Sequence, residues 1–86
     1  MKSITPHFKI RFVERKISSV VDEKELTKMV EVKFNMGQYK DQKLVDNIPR
    51  YTIAIVSYKW ENKNLLVLVD KATECTLTLV TAFFEC

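Results

Sequence analysis

The sequence predicts an α+β fold, with two N-terminal helices packed on an antiparallel sheet of three to four strands in meander order, all in one domain covering residues 1–86. Three observations predict it. Asp22 stands three residues before Glu25, the spacing of a capping box, and Leu26, Met29, Val30 and Phe34 then recur with helical period. After Arg50 the chain turns to short β-branched and aromatic runs separated by polar turns. Eighty-six residues leave room for one core, and 47% hydrophobic against 29% charged residues is the balance of a folded domain.

The first segment admits two readings. Thr5 can cap a helix and Pro6 suits its first turn, which favours a helix over residues 6–17. Phe8, Ile10 and Phe12 also alternate with Lys9 and Arg11, as they would on a strand. The second helix is expected over residues 23–33, with Asp22 as its cap, Val21 and Leu26 forming a hydrophobic staple, and Lys24, Lys28 and Glu31 facing water.

Residues 39–47 are polar enough for a loop or a short edge strand, and Pro49 forbids a central strand position. Residues 51–58 read as a strand and residues 61–64 as a hairpin connection. The run Leu65-Leu66-Val67-Leu68-Val69 suits a central strand covered on both faces. After a turn at residues 70–74, residues 75–84 alternate, placing Leu77, Leu79, Thr81 and Phe83 on one face and Thr76, Thr78, Val80 and Ala82 on the other.

Composition excludes several functions. A single glycine, Gly37, cannot supply a dinucleotide fingerprint or a Walker loop, so no nucleotide cofactor is expected, nor any other. His7 is the only histidine and Cys75 and Cys86 lie too far apart on one strand to pair, so free thiols and no metal site are expected. The first residues hold no apolar stretch of signal-peptide length, and no run approaches the ~18 residues of a membrane helix. A soluble, cytoplasmic protein without a membrane partner is the expectation.

The net charge of +3 is unevenly placed. Lys2, Lys9, Arg11, Arg15 and Lys16 face only Glu14 within the first sixteen residues, so the basic excess belongs wholly to that segment. On a helix, His7, Arg11 and Arg15 follow i, i+4, i+8 and form one polar row. Guanidinium forks match phosphate oxygens and a near-neutral imidazole can give or take a proton, so the row has the parts for handling a phosphodiester. By spacing alone such a row is more often a solvated helix face. On a strand, Arg15 leaves the row.

The string from His7 through Arg11 and Arg15 to Ile17-Ser18 resembles the N-terminal helix of small RelE-like toxins and their relatives, in which arginines follow a histidine at plus four and plus eight. Leu65-Leu66-Val67-Leu68-Val69-Asp70 with Leu79-Val80-Thr81-Ala82-Phe83 is similar to the closing hairpin of that group. Lys16 stands where relatives carry glycine and Phe83 where they carry tyrosine, and residues 31–49 match hardly at all. The resemblance implies two helices on a twisted antiparallel sheet and a metal-independent endoribonuclease, with RNA as substrate and an antitoxin or immunity protein as partner. It implies His7 in an acid/base role, Arg11 and Arg15 on phosphate, and Thr81 as a hydroxyl donor.

Tyr51, Tyr58, Lys59 and Trp60 are candidates for stacking on single-stranded RNA, although such residues are more often strand packing and hairpin edge. A competing function from another class is a non-enzymatic binding module, a phage-type inhibitor or regulator docking through a strand edge or the basic helix.

Overall fold

The computed structural model describes residues 2–73 and 76–85. In chain order the elements are β1 (Lys2–Ile4), α1 (Pro6–Glu14), α2 (Glu23–Asn35), β2 (Asp41–Val45), β3 (Ile48–Val56), β4 (Asn64–Thr73) and β5 (Thr76–Phe84). Single 3-10 turns lie at Ile17–Ser19 and Tyr58–Trp60. The fold is α+β with two helices, but the sheet has five strands in the order β1-β5-β4-β3-β2 and is mixed. β2 to β5 form an antiparallel meander, whereas β1 precedes the helices and pairs in parallel with β5, Ile4 lying opposite Leu79. Three residues carry no period of their own; they become a strand because β5 offers them an edge.

Over the first segment the helix prevails. Thr5 accepts the Phe8 N–H at 3.0 Å through its hydroxyl, and Pro6 occupies the first turn. Phe8 and Phe12, one turn apart, are buried and stack with centroids 5.8 Å apart. α1 stops at Glu14 rather than Ile17, because Lys16 adopts φ 59 and turns the chain so that Ile17 buries itself from the following 3-10 turn.

α2 begins as the cap predicts, with the Asp22 carboxylate accepting the Lys24 N–H at 3.1 Å and with Val21 and Leu26 both buried. The capping box stays half-made, since Glu25 turns instead to Lys59 Nζ at 2.9 Å. The helix runs two residues beyond the predicted end and closes on Gly37 at φ 71, where the Gln38 N–H donates to the Lys33 carbonyl and the Gly37 N–H to that of Phe34. Glycine adopts this left-handed conformation without a Cβ penalty.

Both helices lie on one face of the sheet, and Phe8, Ile17, Leu26, Val30, Ile53, Leu65, Val67, Val69 and Leu79 form a fully buried core between the layers. Among the described residues the opposite face carries no second layer, which corrects the expectation for residues 65–69: β4 is central but covered on one side only. Leu66 on that open face is nonetheless buried, outside the main core.

The segment at residues 39–47 resolves into the edge strand β2, joined to β3 by Asp46 and Asn47, both at positive φ. Pro49 belongs to β3 after all. By period two its nitrogen points toward β4, where the ladder begins only at Arg50 opposite Asp70, so no donor is needed there. Arg50 and Asp70 close that start with two bonds of 2.7 and 3.0 Å. β3 ends at Val56, so Tyr58 leaves the strand for the 3-10 turn, and Asp70 to Thr73 extend β4 instead of forming the turn. Glu74, Cys75 and Cys86, and with them the expectation of free thiols, lie outside the described residues.

Candidate functional site

α1 runs beside the part of β5 that β1 leaves unpaired. Two bonds anchor its start, from the Thr5 N–H to the Leu79 carbonyl at 3.1 Å and from the Thr5 hydroxyl to the Val80 carbonyl at 3.1 Å. Between Leu79, opposite Val69, and Thr81, opposite Leu68, β5 carries one extra residue, Val80. A bulge of this kind reverses the faces beyond it. Ala82 and Phe84 therefore join the helix-side core, while Thr81 and Phe83 move to the open face. The expected grouping of Leu77 and Leu79 with Thr81 and Phe83 is thus corrected.

The bulge brings Thr81 to the basic row. Arg15 Nη1 donates to Thr81 Oγ1 at 3.3 Å and to the Ala82 carbonyl at 2.7 Å, and its guanidinium carbon lies 5.8 Å from the centre of the Phe83 ring. Because Thr81 Oγ1 accepts from Arg15, its own proton is directed elsewhere and is available to a further acceptor. Arg15 also serves the fold here, capping a carbonyl of an otherwise unpaired strand edge.

Arg11, one turn earlier, pairs with Glu14 Oε1 at 2.6 Å. Its Nε is buried without a hydrogen-bond partner. His7 is exposed and forms no hydrogen bond among the described residues. Helix geometry places it about 12 Å along the axis from Arg15. The structure therefore joins Arg15 to Thr81 and leaves His7 and Arg11 on the same helix without direct contact to them. Ile10 and Val13, 56% and 66% exposed on α1, add an apolar element that the polar row did not signal.

The proposed aromatic surface divides. Trp60 is buried, its Nε1 donating to the Ile55 carbonyl at 3.1 Å, and Tyr51 packs edge-on against Phe34 at 4.9 Å and Tyr39 at 4.7 Å. Both follow the packing alternative. Lys59 is held by Glu25, whose hydrogen bond and charge raise the ammonium pKa. Tyr58 alone stands out, 81% exposed.

No protein family, curated protein or solved structure matches the chain. No helix among the described residues is long and apolar enough to cross a membrane.

Proposed function

We propose that this chain is a metal-independent endoribonuclease of toxin type, acting through His7, Arg11, Arg15 and Thr81. The observation that carries the reading is the 3.3 Å contact between Arg15 Nη1 and Thr81 Oγ1. It links two residues from opposite ends of the chain, one from the basic row and one from the last strand, and it leaves one hydroxyl proton and three guanidinium protons in one exposed region.

In the reaction, the ribose 2′-oxygen bonds to the adjacent phosphorus and the bond from phosphorus to the 5′-oxygen breaks, leaving a 2′,3′-cyclic phosphate. A proton leaves the 2′-hydroxyl and another reaches the departing 5′-oxygen; His7, exposed on its helix, serves as acid or base. Arg15 and Thr81 hold the phosphate oxygens as negative charge accumulates. Arg11 joins them by releasing Glu14, since an exposed i, i+3 pair contributes only a few tenths of a kcal/mol.

Incubation of wild type and His7→Ala with mixed-sequence RNA in EDTA tests this. Wild type should release fragments ending in 2′,3′-cyclic phosphate, and the variant should be slower by about 10²–10⁴-fold, the usual contribution of a general acid or base. A folded, partner-free wild type that leaves RNA intact supports the second reading, a non-enzymatic binding module. The exposed Ile10 and Val13 beside the basic row favour that alternative, because a protein partner would cover them.

A further inference from the structure

A second feature lies across the sheet from α1 and is independent of the catalytic reading. β2 pairs with β3 only from Ile48 to Thr52, whereas β4 pairs with β3 as far as Val56. The two-residue turn at Asp46-Asn47 makes Val45 and Ile48 a hydrogen-bonded pair, so Arg50 and Thr52 also direct their backbone groups toward β2. The Thr52 carbonyl indeed accepts from the Lys40 N–H at 2.7 Å. The same period aims the N–H and C=O of Ala54 and Val56 at the vacant side, and among the described residues nothing bonds them there.

Unpaired strand edges are ordinarily blunted by lysine, proline or a bulge. β2 follows that practice, with Asp41 and Lys43 along it. The vacant stretch of β3 does not, for its two outward-bonding residues are alanine and valine, and Val56 is 54% exposed.

Beside this edge runs a groove of about 420 Å³ between α2 and β3. Met29, Val32 and Ile55 provide apolar walls, and Lys28 and Lys33 also line it. Val32 is 55% exposed although it sits mid-helix. Glu25, the acidic residue of the lining, is engaged by Lys59, whereas Lys28 and Lys33 have no carboxylate partner among the described residues. The two lysines are five helical positions apart, about 7.5 Å along the axis, within side-chain reach of carboxylates two positions either side of one strand residue.

We infer that the edge at Ala54 and Val56, together with this groove, is a docking site for an extended segment of a partner protein that adds to the sheet as a strand. The segment places one apolar side chain between Met29 and Val32 and flanks it with carboxylates for Lys28 and Lys33. Backbone hydrogen bonds to the edge hold it, and the groove selects its side chains.

The probe is a fluorescein-labelled peptide carrying Glu-Thr-Ile-Thr-Glu, with a Lys-Thr-Ile-Thr-Lys counterpart, applied to the whole chain. The acidic peptide should bind, shifting the amide resonances of Ala54 and Val56 and the methyl resonances of Met29 and Val32. The Lys28→Glu/Lys33→Glu double variant, which alters only surface charge, should weaken it by about tenfold and favour the lysine peptide. N-methylation of alternate peptide amides should abolish binding in one of its two registers and spare it in the other. Absence of binding, shifts confined to other residues, equal binding of both peptides, or equal tolerance of both methylated forms would overturn the inference. So would a stable dimer that buries this edge without peptide.

Discussion

Lys16 shows how one backbone conformation can connect sequence pattern to stability. It sits at φ 59 and ψ 21, and its carbonyl accepts both the N–H and the hydroxyl of Ser19, so the turn relies on its backbone. A side chain in that conformation costs about 1–2 kcal/mol, which glycine avoids. Glycine would therefore suit this position geometrically. Lys16→Gly should stabilise the protein by about 0.5–1 kcal/mol in urea unfolding, after its greater freedom in the unfolded chain is subtracted. A lower midpoint would mean that the lysine side chain offsets its own strain. Thr81 makes the complementary point, since its partner is evident only once the bulge at Val80 turns it toward Arg15.

Among the elements, α1 depends on a single hydroxyl used twice. Thr5 Oγ1 accepts from the Phe8 N–H and donates to the Val80 carbonyl, so it caps the helix and ties it to the bulge that exposes Thr81. Thr5→Ala should cost about 1–2 kcal/mol, the loss of a cap together with a tertiary hydrogen bond. Equilibrium unfolding measures this, and a change of only a few tenths would show that the helix is held by Phe8 and Phe12 alone. β3 is the other informative element, because it is paired on both sides at its start and on one side at its end. That asymmetry creates the vacant edge without any unusual residue.

Across the whole molecule, charges link segments distant in sequence. Lys40 Nζ reaches Glu85 Oε2 at 2.5 Å while Asn64 Nδ2 donates to Glu85 Oε1 at 2.7 Å, joining the approach to β2, the start of β4 and the end of β5. The Lys40 hydrogen bond first, then that of Asn64, holds the Glu85 carboxyl below its ordinary range. A depressed carboxyl stabilises the folded state above its unfolded pKa and loses that contribution as pH falls through the folded value. Wild type should therefore be more stable than Glu85→Gln near neutral pH and equal to it in strong acid. An advantage unchanged between the two conditions would contradict the linkage.

Much of this architecture is local, and that part was determined by the sequence itself. The Asp22 cap and the period of Leu26, Val30 and Phe34 specify α2, Thr5 and Pro6 start α1, and β-branched runs mark β3, β4 and β5, because capping and burial period act between residues a few positions apart. The basic row was legible for the same reason, being a consequence of helical spacing. The tertiary structure decided what depends on pairing across the chain. β1 exists only against β5, the bulge at Val80 arises from the register with β4, and Arg15 meets Thr81 because of both the helix end and that bulge. A one-residue slip in register exchanges the two faces of a strand, and no local pattern in β5 reveals where that slip occurs.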